Sequence, residues 1–190
     1  YDKKVENGWT LGAAMSYSNG DSNYGGAAGY GHGDTSVMSL GLYGTWNHDD
    51  GRYVDLILKR SKLDNEFENK TSSGFELEGD YETWGTSFSA EFGKRINMKK
   101  GVYIDPSVEL TYGSVQDASY SVDASGMYDA KFLVNQEEFE SLVGRVGLRI
   151  GKQTERSNIY AKLGLAHEFC GEYDTYYKEA GSSKVAHTSV

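Results

Sequence analysis

The residues of this 190-residue chain that could do chemistry are few and scattered. His32 and Asp34, with Asp21 nearby in sequence, would supply a base and an orienting carboxylate, the pair that activates a hydroxyl or a water. His32 lies within Gly29-Tyr30-Gly31-His32-Gly33, which offers little rigidity, so it reads as a solvated loop histidine. No strand–Gly–helix context follows these glycines, so they are not a phosphate loop. Asp105 and Glu109 could share acid–base work, but Arg145 and Arg149 are available to neutralise them, which favours a structural network. His167 reads as an interfacial side chain at a strand end. Cys170 is the one cysteine. It can form no disulfide within the chain and anchors no zinc ligand set, and it reads as a packing residue. Asn69-Lys70-Thr71 matches a glycosylation sequon and carries no weight. No catalytic, cofactor-binding or metal-ligating residue is assigned.

The elements that would position these groups are extended. Apolar and polar residues alternate with a period of two almost everywhere, and turn residues separate the runs. About seven strands are expected, over 7–19, 34–47, 52–63, 80–93, 102–116, 139–150 and 157–170. Each is roughly 12 residues long, against about 5–6 for an ordinary globular strand and about 9–11 for a tilted membrane-spanning one. Trp9, Leu11, Ala13, Met15 and Tyr17 share one face of the first run, and Thr10, Gly12, Ala14, Ser16 and Ser18 the other. The fifth run sets Ile104, Pro106, Val108, Leu110 and Tyr112 against Tyr103, Asp105, Ser107, Glu109 and Thr111.

The charges discriminate between a soluble and a membrane-embedded sheet. Asp55, Lys59, Glu91, Asp105, Glu109, Arg145, Arg149, Lys162 and Glu168 all take the polar parity of their runs, as residues lining a lumen would. An Arg or Lys facing lipid at mid-bilayer would cost about 2–4 kcal/mol. Arg60 has the apolar parity but sits at a strand end, within reach of headgroups. Aromatics close the apolar faces: Trp9, Tyr17, Trp46, Trp84, Phe92, Tyr112 and Phe169 are the expected residues of two interfacial girdles. Connections 48–51, 94–101 and 151–156 are short, whereas 20–33, 64–79 and 117–138 are long and polar. Outer-membrane barrels show that asymmetry, with short periplasmic turns and long extracellular loops. His48-Asp49-Asp50-Gly51 is a candidate tight turn. The segment 20–33 is expected to be a flexible loop.

Composition excludes other classes. The net charge is −9, which removes a basic nucleic-acid footprint. No stretch of 18 apolar residues exists, so no transmembrane helix is expected. The low mean hydropathy leaves a barrel open, since barrel strands average apolar with polar residues. No signal peptide is found at Tyr1-Asp2-Lys3-Lys4.

Several stretches resemble the β-domain of classical monomeric autotransporters. They are Gly41-Leu42-Tyr43-Gly44-Thr45-Trp46, Gly51-Arg52-Tyr53-Val54-Asp55 with Leu63-Asp64-Asn65-Glu66-Phe67, and Trp84-Gly85-Thr86-Ser87-Phe88-Ser89-Ala90-Glu91-Phe92-Gly93. The series continues with Ile104-Asp105-Pro106-Ser107-Val108-Glu109-Leu110-Thr111-Tyr112, Ser141-Leu142-Val143-Gly144-Arg145-Val146-Gly147-Leu148-Arg149, and Tyr160-Ala161-Lys162 with His167-Glu168-Phe169. The resemblance implies an all-β, antiparallel transmembrane barrel of 12 strands in the outer membrane of a Gram-negative bacterium. Residues 1–190 would be a single partial barrel domain, about seven strands, without the N-terminal linker helix and the terminal strands.

The implied function is a translocator that anchors and helps export an N-terminal passenger, and not an enzyme. The implied partners are outer-membrane lipid, the chain's own passenger domain and linker helix, and the barrel-assembly machinery; no nucleic acid is among them. In some members, lumen acids promote passenger release by attack of a linker asparagine, a role that no residue inherits here without the linker. A diffusion porin, a barrel hydrolase active at its rim and a soluble β-sandwich binding module are the alternatives.

Overall fold

The computed structural model describes residues 1–27 and 29–189. Ala28, inside the expected loop 20–33, and Val190, at the end of the expected domain, lie outside the described residues.

Among the described residues thirteen strands make one antiparallel sheet: β1 (Asp2–Lys4), β2 (Trp9–Gly26), β3 (Gly29–Asn47), β4 (Arg52–Thr71), β5 (Glu76–Lys94), β6 (Ile96–Asn97), β7 (Val102–Val115), β8 (Ala118–Ser125), β9 (Ala130–Gln136), β10 (Phe139–Gln153), β11 (Asn158–Glu168), β12 (Asp174–Glu179) and β13 (Ala186–Ser189). The seven expected runs correspond to β2, β3, β4, β5, β7, β10 and β11, three of them overrunning a strand end by one or two residues. The order β2–β3–β4–β5–β7–β10–β11 forms the main wall. Among the described residues the wall is open between β2, edged by the short β1, and β11.

The wall forks at β5. Its half near the short turn, Gly85–Gly93, pairs with β7, while its far end, Glu76–Gly79, pairs with β8. From β8 a second branch continues through β9, β12 and β13. This branch rises beyond the main wall as a crown, zipped by the pairing of β9 with β12.

Three expected loops are therefore corrected. Residues 20–33 and 64–79 are mostly strand, forming the far ends of β2 to β5, and 117–138 contains β8 and β9. The alternation does continue through them, but with its polarity reversed. Outward apolar residues define a run, so a reversed run reads as a polar loop. On β4 and β5 the face carrying Leu56 and Phe88 passes to Asp64, Glu66, Glu68, Glu78, Asp80 and Glu82. The opposite face, which begins with Asp55 and Glu91, passes to Phe67, Leu77 and Tyr81. The residues after β11, unassigned from sequence, supply β12 and β13.

The short turns are where backbone freedom matters. Gly51 takes φ +88, and a Cβ there would strike the carbonyl of Arg95. Asn7-Gly8 and Lys100-Gly101 repeat one turn, with both residues of each pair at positive φ. Positive φ at both central positions matches the twist of a hairpin, and Asn–Gly is its preferred dipeptide. Between β5 and β6 the register on β7 is unchanged, Gly93 facing Ser107 and Ile96 facing Ile104. The break between them falls opposite Pro106, which has no N–H to give the ladder.

Candidate functional site

The register builds two unlike faces. On one, Trp9, Trp46, Val54, Phe92, Val108, Val146 and Leu165 stand in a single row. The next row holds Leu11, Leu56, Ala90 and Leu110, and the one after it Ala13, Leu42, Leu58, Phe88, Tyr112 and Leu142. Side chains of this face are bare: Leu40 is 59% exposed, Leu110 50%, Leu163 73% and Leu165 81%. In a soluble fold the hydrophobic effect would remove such a surface from water, since a monomer seldom leaves an apolar patch of more than a few hundred Å² uncovered.

Trp9, Trp46 and Phe92 fall in the row nearest the short turns. Tyr17 and Trp84 share the row at the crown end of β2–β5. On the other half of the wall, Tyr112 and Leu142 are paired, and the amide of Phe169 donates to the carbonyl of Leu142. His167 stands beside Phe169, ring centroids 4.8 Å apart.

The opposite face is the packed one, and it is polar. Ser39, Ser61, Thr83 and Asp105 are buried there, as is Tyr103. One rung carries Thr45, Asp55, Glu91, Glu109 and Arg145 side by side on β3, β4, β5, β7 and β10. Like charges directly opposite one another destabilise a sheet unless donors compensate. Here they do. The Thr45 hydroxyl donates to Asp55 at 2.6 Å. Ser89 and Thr111 donate to Glu109, each at 3.0 Å, and Arg145 approaches the same oxygen at 3.4 Å. The Tyr53 hydroxyl sits between Glu91 and Asp105, 3.2 and 3.1 Å away. Arg149 reaches the other oxygen of Asp105 at 3.5 Å and lies 5.3 Å from the Tyr160 ring centroid. Glu168 accepts from Ser141 and from the amide of Leu142. Lys59 and Lys162 meet no carboxylate within ion-pair distance among the described residues.

All nine charged residues singled out from sequence thus share one face, and seven of them are sorted. Asp55, Glu91, Asp105 and Glu109 stand on β4, β5 and β7, and Arg145, Arg149 and Lys162 on β10 and β11; Lys59 on β4 and Glu168 on β11 are the exceptions. Sequence reasoning missed the hydroxyls of Tyr53 and Thr45 that hold the acids. It also missed the tyrosines laid over glycines of neighbouring strands, where a Cβ would strike the ring: Tyr43 over Gly12, Tyr53 over Gly93, Tyr103 over Gly151. Tyrosines on a polar parity with glycines on the adjoining runs were the available signal. Tyr103 also receives the Arg95 guanidinium, 3.8 Å from its ring centroid.

In the crown the arrangement is that of a soluble core. Tyr81 and Tyr120 stack with centroids 4.6 Å apart, Phe67 meets Tyr120 edge-on, and burial raises the hydroxyl of Tyr120 to about 12. Ala118, Val122 and Ala124 are buried. A cavity of about 380 Å³ is lined by residues including Phe75, Leu77, Val122, Phe132, Val134 and Tyr177. The candidate base His32 does contact Asp34, at 3.2 Å, and its Nδ1 lies 3.0 Å from Asn23. These groups are exposed on the outer side of β2–β3, while the nearby Ser22 has the opposite parity and donates to the carbonyl of Gly33. Among the described residues no group of three His, Cys, Asp or Glu is placed to hold a metal ion.

A sheet with a bare apolar side and a packed, charged side is the arrangement of a membrane barrel. The family model for the autotransporter β-domain matches residues 1–189. The chain belongs to the autotransporter β-domain family. It is similar to the pertactin autotransporter of Bordetella parapertussis, 33% identical over 168 residues, covering 86% of this chain and 17% of that protein. It is also similar to the serine protease EspP of Escherichia coli O157:H7, 30% identical over 156 residues, covering 80% of this chain and 12% of that protein. The chain therefore spans less than a fifth of these curated relatives. Among solved structures, the β domain of the Bordetella autotransporter BrkA superposes with a TM-score of 0.62, at 19% identity, covering 99% of this chain and 91% of that one. The autotransporter β-domain is a translocator fold of the Gram-negative outer membrane, a β-barrel of the type V secretion family that anchors a passenger domain.

Proposed function

We propose that residues 1–190 form one partial translocator domain whose polar face lines a water-filled bore and whose apolar face meets lipid. The observation that carries this is the inversion of burial: bare leucines on one side, a packed polar network on the other. Asp55, Lys59, Glu91, Asp105, Glu109, Arg145, Arg149, Lys162 and Glu168 would line the bore and fix its electrostatics. Trp9, Trp46 and Phe92 would sit at the periplasmic interface, and Tyr17, Trp84, Tyr112 and Phe169 at the extracellular one. The two rows fall at different heights along the strands because barrel strands are tilted.

The bore would hold the linker of the same precursor, and the uneven charges would orient it, its cations toward Asp55, Glu91, Asp105 and Glu109 and its carboxylates toward Arg145, Arg149 and Lys162. Further strands would close the wall between β2 and β11, with the barrel-assembly machinery inserting the whole. The domain would act by holding and passing a chain, not by catalysis; His32→Ala should leave any rim activity of the full-length protein unchanged.

The test is labelling of the full-length protein in vesicles. With Cys170 replaced by Ser, single cysteines at Leu58 and Leu110 should report quenching by lipid-borne quenchers. Cysteines at Ser89 and Ser107 should react with a small water-soluble thiol reagent instead. The opposite pattern, or reaction at all four, overturns the reading.

A further inference from the structure

One side chain on the apolar face breaks its rule. Arg60 stands on β4 opposite Leu40 and Thr86, directly beyond Leu58 and Leu56, and it is exposed. Its row runs Met15, Leu40, Arg60, Thr86, Ser114, Glu140, changing from apolar to polar between β3 and β4. A row perpendicular to tilted strands must cross the membrane surface somewhere, and that change marks the crossing.

The guanidinium is held there by neutral groups alone. It donates to the Thr86 hydroxyl and, at 3.1 Å, to the side-chain Oε1 of Gln116, and it lies 5.1 Å from the Trp84 ring centroid. Among the described residues no carboxylate lies within ion-pair distance of it. Lys62, the next cation on the same face, is already engaged, 2.8 Å from Asp64 and 2.9 Å from Glu82. A guanidinium offers five N–H donors in a fixed fork, so two hydrogen bonds leave about three free. An unneutralised, pre-oriented fork at the edge of an apolar band calls for an anion supplied by the membrane. Phosphate suits the planar fork best.

We propose that Arg60, positioned by Trp84, Thr86 and Gln116, binds the phosphate of a phosphorylated glycolipid of the outer leaflet. This rests on the reading that the apolar face meets lipid, but not on the contents of the bore. Trp84 would lie against the sugar and the upper acyl chain, and Leu40 and Leu58 against the chains below.

The test uses the full-length protein in lipid discs holding equal amounts of a phosphorylated and a dephosphorylated glycolipid, with the retained lipid identified by mass spectrometry after detergent extraction. Wild-type protein should retain the phosphorylated form roughly three- to ten-fold over the other, as one or two charge-assisted hydrogen bonds give. Arg60→Gln, which keeps hydrogen-bonding capacity without charge, should bring the ratio to parity. Arg60→Lys should leave it intermediate, and high salt should lower the wild-type ratio without any substitution. Equal retention by the wild type, or an unchanged ratio in Arg60→Gln, overturns the proposal. Lipid-borne quenching at Leu58 in the same discs separates the two failures: quenching without phosphate preference defeats only the Arg60 proposal, and no quenching defeats the membrane reading beneath it.

Discussion

Near the short turns of β4 and β5 one face presents Val54, Leu56 and Leu58 beside Phe92, Ala90 and Phe88. Farther along the same strands that face presents Asp64, Glu66 and Glu68 beside Glu82, Asp80 and Glu78. The reverse face changes in step, from Asp55 and Glu91 to Phe67, Leu77 and Tyr81. The β4–β5 ladder is continuous across the change, while the other neighbour of β5 passes from β7 to β8. Where lipid is the solvent, apolar atoms face out and charge is sequestered. Where water is the solvent, the same sheet packs aromatics inward and tolerates carboxylates in register, because high dielectric weakens their repulsion. On the proposed reading, the crossing from Arg60 and Lys62 to Asp64 is the membrane boundary on the wall itself.

The most direct way to break this comparison is to move one charge along one face. Leu56→Arg in the full-length protein should cost about 2–4 kcal/mol of stability in bilayers. Glu66→Arg, on the same face of the same strand, should cost almost nothing, since surface substitutions usually stay within about 0.5 kcal/mol. Urea unfolding in vesicles measures both, and equal losses would erase the distinction.

Next comes the crown core. Phe67→Ala removes the ring that meets Tyr120 and covers Gly79, and should cost roughly 2–3 kcal/mol. The loss should be local, visible as faster hydrogen exchange in β8 and β9 with β7 and β10 unchanged.

A sharper probe of the polar face is Gly12→Ala, which drives a methyl into the Tyr43 ring and should cost roughly 1–3 kcal/mol. Gly20→Ala on β2, where nothing lies within reach of a Cβ, is the control. Denaturant midpoints of the pair separate overpacking from loss of glycine.

The smallest effect belongs to the turn at His48–Gly51, outside both regions. The Arg52 side chain beside Asp50 holds its carboxyl well below the usual range, and the ion pair is 2.8 Å. Because the folded value is depressed, this contribution is present above the ordinary carboxylate pKa of about 3.9 and lost as pH falls through the lower folded value. Asp50→Asn should therefore lower the melting temperature slightly at neutral pH, and that difference should vanish in strong acid.

Much of the main wall was legible because its period of two is a backbone property and its facing charges share one parity. The places of the seven strands, the short turns and the polar parity of Asp55, Glu91, Asp105 and Glu109 follow from that alone; the full lengths of β2 to β5, 18 to 20 residues, do not. The crown was not legible, because its strands alternate in the sense of a water-soluble sheet, and residues such as Asp64, Glu66 and Glu68 read as loop when apolar residues are sought outside. β12 and β13 were missed for a different reason: each is short, and β9, the strand that ties them to the sheet, lies far away in sequence.

What the sequence determined by itself is the division of every long strand into an apolar and a polar side, since alternation fixes which residues share a face without reference to any neighbour. Only the tertiary structure decided which rungs those residues share. Register brought Asp55, Glu91 and Glu109 abreast, set Tyr53 between Glu91 and Asp105, laid tyrosines over glycines, and forked β5 between β7 and β8. Register depends on hydrogen bonds between segments far apart in the chain and on side-chain volumes that must fit across them, and no local pattern encodes either.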